Sequence, residues 1–452
     1  MIMRQFVLIF LVTMVSLMNA YSQTMEKFAS DWDEHHISNI FPSDVRHSDL
    51  KKYLEQLRKQ GVKVDQVGVS NASREIYQIE WGKGPLKVFM WSQMHGDEPT
   101  ATSSLIDMFA YLQKHRDKDW VKKISETMTI RGVPMLNPDG QEMYQRRNLQ
   151  GIDINRDALD LKTPEARLLK QLRDDWNPAI GFNLHNQQAL TTVGGAPSQA
   201  AISFLVVFGD EAKTTSFGQE RNQRITSGMV TALQKFIPGH IARYSDEWTP
   251  TAFGDNFSAW GTPTILIETG ALYGKDESYL VKMNFIAFMT ALQSIATGSE
   301  RTFDPNIYIN LPENGSGGLV NFVFRRANIV SLEPLSLVTA TVPTAPAPAF
   351  KINTADISAV TERRRASFTA PVKIRSIGDQ PNLRGLEEYD ASGFNVVQRF
   401  GQTKGGELAE FFFYKKDRAV DWAAPDIEKQ FPPDAIFSGG KWIKGEKLLP
   451  RR

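Results

Sequence analysis

Apolar residues along this chain fall into short blocks separated by polar, glycine- or proline-containing stretches, and the blocks follow two different periods. "SDLKKYLEQLRKQG" (48–61) has helical spacing and closes on Gly61, the residue type favoured just past a helix end. "VDQVGVSNASREIYQIEWGKG" (64–84) alternates as strands joined by turns do. "PLKVFMWS" (85–92) reads as a buried strand and "PTATSSLIDMFAYLQKH" (99–115) as the helix that follows it. The same alternation recurs. Strands are expected at "TMTIRGVPMLNP" (127–138), "AIGFNLH" (179–185), "ISFLVVF" (202–208) and "TPTILIET" (262–269). Helices are expected at "TPEARLLKQLRDDW" (163–176), within 211–236 and over the apolar "SYLVKMNFIAFMTALQSIAT" (278–297), whose Met and Phe spacing is that of core packing. Strands alternating with helices predict an α/β layer fold, a mixed and mostly parallel sheet flanked by helices. Folds of this kind place ligands outside the carboxyl ends of their strands.

The two ends of the chain depart from this texture. "MIMRQFVLIFLVTMVSLMNAYSQT" has an early arginine, a short apolar run and then small residues, the layout of a secretory signal peptide over 1–22, with cleavage expected between Ala20 and Gln23. The protein is therefore expected to be secreted or periplasmic. After residue 300 come the loop-like "LPENGSGG" and the proline-rich "TATVPTAPAPAF" (339–350). The reading is a principal domain over 23–300, a connecting segment and linker over 301–350, and a small β-rich C-terminal appendage over 351–452 whose role the sequence does not assign.

Composition narrows the chemistry. A net charge of +1 gives no electrostatic ground for a nucleic-acid partner. The absence of cysteine removes disulfides, thiolate nucleophiles and cysteine-based zinc sites together. A metal would have to be held by His, Asp or Glu, and the chain has seven histidines. No G-x-S-x-G elbow suggests a serine hydrolase.

Four stretches carry candidate chemistry. In "MHGDEPT", Pro99 keeps Glu98 out of a helix interior, so His95 and Glu98 belong to the turn between a strand end and a helix start. Alone, a loop histidine and a helix-capping glutamate would explain the pair equally well. "GFNLHNQ" puts His185 at the end of a second apolar strand, and "TPTILIETG" puts Glu268 at the end of another, where an acid is costly unless paired or functional. Two histidines and a glutamate make the ligand set of a catalytic zinc with one position left for water, and a further glutamate can serve as its proton acceptor. "NPDGQEMYQRRNLQGIDINRD" (137–157) supplies Arg146, Arg147 and Arg156, and arginine is suited to gripping a carboxylate or stabilising an oxyanion.

"HGDE", "NPDG", "RRNLQGIDINR", "FNLH" and "ILIETG", in this order, resemble the zinc carboxypeptidase family, the metallocarboxypeptidases of the carboxypeptidase A type. The likeness covers about residues 45–300, and the motifs are specific as a set. It implies one zinc per chain, held by His95, Glu98 and His185, with Glu268 as general base and then acid. It implies that Arg146, rather than its neighbour Arg147, polarises the scissile carbonyl, and that Asn155 and Arg156 hold the substrate's terminal carboxylate together with Arg146. Asp153 would orient a ligand histidine. The chain departs from the family's digestive members in three ways. Asp97 stands where they have an arginine. No tyrosine lies between Tyr244 and Glu268, so either Tyr244 or Tyr273 takes the place of their mobile tyrosine, or that role is missing. The segment before Ser48 is too short for their folded prodomain, so zymogen control is not expected.

The expected activity is hydrolysis of the C-terminal peptide bond of a peptide by a zinc-activated water. An alternative keeps the metal set and changes the substrate, to cell-wall stem peptides or acyl amino acids. A non-catalytic binding protein on the same fold is the third reading, disfavoured because neither the base nor a ligand is missing. The expected partners are a peptide or cell-wall peptide substrate, with no nucleic acid, no membrane after signal cleavage and a monomeric chain. Side-chain preference is not legible.

Overall fold

The computed structural model describes residues 25–315, 318–332, 350–449 and 451. The expected signal peptide and the proline-rich stretch 339–349 lie outside these residues. By its internal contacts the chain divides between Gly315 and Ser316 into two units.

The first unit opens with helix α1 over residues 25–35 and α2 (His47–Lys59). Then come β1 (Lys63–Val69), β2 (Glu75–Gly82) and β3 (Leu86–Ser92), followed by α3 (Thr100–Lys114) and α4 (Asp119–Thr127). β4 (Met128–Val133), the short α5 (Pro138–Met143), α6 (Pro164–Trp176) and β5 (Ile180–Asn186) continue the alternation. The remainder is β6 (Thr192–Val193), β7 (Ile202–Val207), α7 (Phe217–Leu233), β8 (Ile241–Arg243), α8 (Phe253–Ala259), β9 (Thr264–Thr269) and α9 (Glu277–Thr297), with α10 (Asn306–Ile309) and β10 (Asn314–Gly315) at the end. Eight strands form one sheet in the order β1-β2-β4-β3-β5-β9-β7-β8. The centre β4-β3-β5-β9 is parallel, while β1, β2 and β7 pair antiparallel to neighbours, so the sheet is mixed as expected.

Every residue of β5, β7 and β9 is buried, which explains their uninterrupted apolar runs: both faces of the sheet centre are covered by helices. On one face, Leu105, Met108, Phe109, Phe285, Phe288 and Met289 of α3 and α9 pack into the main core. On the other, Phe89, Trp91, Leu169, Phe253 and Phe257 form a second cluster. The long apolar helix α9 is thus a core element, with Phe285, Ile286, Ala287, Phe288 and Met289 all buried.

The N-terminal segment is fastened by one buried acid. Asp107 on α3 accepts hydrogen bonds from the backbone N–H of Ile37 and Ser38 through Oδ1 (2.9 Å each), and from Trp32 Nε1 (2.9 Å) and Ser38 Oγ (2.6 Å) through Oδ2. Burial pushes its carboxyl pKa up, opposed by these donors. Asp107→Asn turns an amide N–H₂ either toward Trp32 Nε1 or toward the two backbone N–H groups, none of which can accept. The substitution is expected to cost about 3 kcal/mol, read as a lower unfolding midpoint and faster proteolysis of residues 25–40. Wild-type stability in this variant would show that the four contacts do not fasten the segment.

The second unit is a sheet in the order β13-β12-β11-β15-β16-β17-β18, with β14 joined to β11. Its strands are β11 (Leu319–Leu332), β12 (Phe350–Thr361), β13 (Val372–Gly378), β14 (Arg384–Asp390), β15 (Phe394–Gln398), β16 (Phe411–Lys415), β17 (Ala435–Ser438) and β18 (Lys441–Lys444). A core of Phe322, Phe324, Tyr389, Phe411, Phe413 and Phe437 fills it. Here the boundaries differ from the sequence reading. Residues 319–332, taken as part of a connecting segment, are the longest strand of this sheet and pair with three others. Their pattern is obscured by Arg325–Arg326, where the register shifts and Arg326 adopts φ 55°. Arg325 is buried there against Asp356 (2.8 Å) and Glu388 (3.2 Å).

Candidate metal centre

Three parallel strands end at the site. β3 stops at Ser92 and leads into the turn carrying His95 and Glu98; β5 carries His185 one residue before its end; β9 carries Glu268 one residue before its end. His185 and Glu268 are direct Cα partners across the parallel pair β5–β9, which places both on one face of the sheet. All four side chains are buried.

The turn after β3 is held by unusual backbone and a tight crossing. Gln93 has φ 54°, and its side chain donates to Gly96 O (3.0 Å) and Gln141 Oε1 (2.7 Å) while accepting from Thr102 Oγ1 (2.8 Å). A Cβ on Gly96 would stand 2.0 Å from the Gly140 carbonyl carbon, so the "HGDE" and "NPDG" turns meet backbone to backbone. Asn137 ties them further. It caps α5 through Gly140 N (2.8 Å) and donates to Met94 O (3.2 Å). Pro99 occupies the N-cap of α3 rather than its first turn.

His95 Nδ1 lies 2.9 Å from Glu98 Oε1, His185 Nδ1 lies 2.7 Å from Glu98 Oε2, and the two Nδ1 atoms are 3.2 Å apart. These donors converge on one point from two chain segments, within 4.8 Å of one another. Two imidazole nitrogens and a carboxylate, all buried, are a donor set that fits zinc. Asn186 N donates to Glu98 Oε2 (3.1 Å), and Asn186 Nδ2 reaches Thr100 Oγ1 (2.7 Å), locking the end of β5 to the start of α3.

Behind His95, Nε2 sits 3.0 Å from Asp153 Oδ1, which fixes the ring so that Nδ1 faces Glu98. Asp153 is itself held by Asn155 N (2.9 Å) and Arg146 Nε (2.9 Å). Burial disfavours charge on every member of this group, yet the ion pairs prevail. Against burial, the Glu98 charge and the Asp153 hydrogen bond raise His95 to about 9, the imidazole charges hold Glu98 well below the usual carboxylate range, and His95 and Arg146 do the same for Asp153. His185 alone is lowered by burial, Glu98 pulling the other way.

The arginines flank the donors. Arg146 Nη1 is 3.3 Å from Glu98 Oε1 and 3.1 Å from His95 Nδ1, whereas Arg147 turns away and bonds Gly151 O (2.9 Å). Of the two neighbours, Arg146 is the one beside the donors. Asn155 Oδ1 accepts from Phe253 N (2.9 Å), docking the 3-10 turn Ile154–Arg156 on α8. Arg156 Nη1 donates to Asn155 O (2.7 Å), and its side chain is exposed.

Tyr244, just past β8, also belongs to this group. Its pKa is raised to about 12, chiefly by the charge of Glu268, then by burial and Glu98, with Arg146 and Arg156 pulling down. Tyr273 is half-exposed, bonded through its backbone N–H to Gln199 Oε1 (2.7 Å). Tyr244 is thus surrounded by the site's charges. Asp255 was missed altogether: it lies in the first turn of α8, where burial pushes its carboxyl to about 6 although Arg156 opposes this. An aspartate inside the apolar "AFGDNFSAW" was the available signal.

Comparison with known proteins returns the same reading for part of the chain. A family model described as zinc carboxypeptidase matches residues 49–216. Carboxypeptidase 2 of Trichophyton rubrum is 32% identical over 100 residues, 22% of this chain and 18% of that one. Carboxypeptidase SOL1 of Arabidopsis thaliana is 27% identical over 151 residues, 29% of this chain and 31% of that one. The chain therefore spans about a fifth to a third of the length of these relatives. A metallo-carboxypeptidase structure from Burkholderia cenocepacia superposes with a TM-score of 0.46 at 14% identity, covering 56% of this chain and 69% of that one. Residues 49–216, which carry His95, Glu98, Arg146, Asp153, Asn155, Arg156 and His185, are thus the part of the chain that matches the zinc carboxypeptidase family.

Proposed function

We propose that the protein is a zinc metallocarboxypeptidase that removes the last residue of a peptide, and that it works outside the cytoplasm. The observation that carries the reading is the convergence of His95 Nδ1, Glu98 and His185 Nδ1 beside a buried Glu268, with Arg146 and Arg156 at hand. Zinc held by these three residues would supply Lewis acidity at the scissile carbonyl and at the attacking water. Glu268 takes the proton from that water and hands it to the leaving amine. Arg146, next to the donors, stabilises the negative oxygen that develops on the carbonyl. Asn155 and the exposed guanidinium of Arg156 receive the terminal carboxylate. An internal peptide bond offers Arg156 no charge, which makes the cut an exo-cleavage. The amino-terminal apolar run supports export.

The test uses two matched peptides, one with a free C-terminus and one amidated, followed by mass spectrometry. Wild type is expected to shorten only the free acid, by one residue. Arg156→Ala should lose about 10²-fold in kcat/KM on the free acid, the effect of about 3 kcal/mol of charge-assisted hydrogen bonding, and most of its preference for it. Equal cutting of both peptides by wild type would remove the carboxylate clamp. No cutting of either, with release of a residue from cell-wall stem peptides or of acid from acyl amino acids, would transfer the same chemistry to those substrates.

A further inference from the structure

A second cluster of metal-binding residue types lies away from the first. Asp31, Glu34 and His35 sit at i, i+3 and i+4 on α1, so they share one face, and their ligand atoms fall within 4.8 Å of one another. This face looks onto a hollow of about 610 Å³ lined also by Tyr111, His115 and Lys118. His115, just past the last residue of α3, faces His35 at 6.0 Å between ring centroids. Its Nε2 is shielded from solvent and has no hydrogen-bond partner.

Ordinary surface pairing explains only part of this arrangement. Lys27 Nζ stands 2.5 Å from Asp31 Oδ1, an i,i+4 pair whose lysine is two-thirds exposed. Tyr111 Oη donates to Asp31 Oδ2 (2.6 Å), which orients the carboxylate as a supporting contact orients a metal ligand. Neither contact accounts for two imidazoles turned to the same hollow, one of them with a shielded nitrogen that nothing engages. We propose that Asp31, Glu34, His35 and His115 form a second divalent-metal site, of the nitrogen-and-oxygen type that takes zinc, nickel or copper. Lys27 holds the ion's place and swings into solvent when it binds. Burial lowers the His115 pKa, opposed by Asp31, which favours the neutral ring that a metal requires.

This site is structural. α3 runs from Thr100, two residues past Glu98, to Lys114, a length of about 22 Å at 1.5 Å per residue. The two centres are therefore at opposite ends of one helix. An ion held between α1 and His115 staples the C-terminal end of α1 to the C-terminal end of α3, beside the segment Ile37–Ser38 that Asp107 fastens.

The experiment loads the purified protein with zinc chloride, removes free ion by gel filtration and counts zinc per chain by mass spectrometry. Wild type is expected to retain two. His35→Ala and His115→Ala should each retain one, keep wild-type activity on the free-acid peptide and unfold at the wild-type temperature in chelator. Lys27→Met should retain two and fill the second at a lower zinc concentration. His185→Ala should keep one, which separates failure of this proposal from failure of the first centre. One zinc in wild type that His185→Ala abolishes, or unchanged zinc in both His35→Ala and His115→Ala, overturns the second site.

Discussion

Glu268→Gln is expected to lower kcat on a free-acid peptide by about 10²- to 10⁴-fold, the range for loss of a positioned general acid–base, while zinc content stays at the wild-type value. The amide has the size and shape of the carboxylate it replaces, and β9 pairs on both sides of this residue, with His185 and Ser203 as Cα partners, so the strand should hold. What disappears is the negative charge and the capacity to take a proton. A second readout reports the charge without catalysis. Since Glu268 is the largest cause lifting Tyr244 to about 12, the variant should titrate this phenol at lower pH, read by ultraviolet difference absorption. Full activity in Glu268→Gln would end the assignment of Glu268 as base. Reduced activity with an unmoved Tyr244 titration would mean that Glu268 acts without facing the site.

His185→Ala is expected to remove the zinc of the first centre and reduce activity to that of the chelator-treated protein. His185 supplies one of two imidazole donors, and it is the only one that arrives from β5; without it Glu98 and His95 remain as a pair on a single turn. The metal-free fold should also suffer. His185 Nδ1 lies 2.7 Å from Glu98 Oε2, so deleting the ring takes a hydrogen-bond partner from a buried anion. Leaving a buried acceptor short of a partner costs about 1–3 kcal/mol. Zinc should therefore stabilise wild type more than it stabilises this variant, measured as the shift in unfolding midpoint between zinc and chelator. Retention of full activity and unchanged zinc by a folded His185→Ala protein would refute the ligand set.

Much of this centre was legible because each of its donors ends an apolar run. His185 and Glu268 break otherwise hydrophobic strands, and His95 and Glu98 follow one directly; a polar group in such a place needs a reason. What brings β9 beside β5, however, is a crossover that no local pattern encodes. Tyr244 illustrates the same limit. Counted along the chain it precedes Glu268 by more residues than the family's spacing suggests, but β8 lies next to β7 and β7 next to β9, so the sheet carries it to the site. In the second unit, the two arginines inside β11 hid a strand whose apolar residues alternate on either side of them. Arg325 reads as surface until Asp356 and Glu388 are placed around it, and those partners lie 31 and 63 residues away.

The contact between Gly96 and Gly140 has a consequence for anyone who would re-engineer this protein. The turn that bears His95 and Glu98 and the turn that leads to Arg146 share one interface with no room for a methyl group. Neither loop can be randomised or transplanted by itself: an insertion in either would wedge the other and shift ligands and arginine together. Selections for altered chemistry should therefore move the two loops as one cassette, leave both glycines fixed, and seek diversity at α8, whose Phe253 N–H meets Asn155 Oδ1.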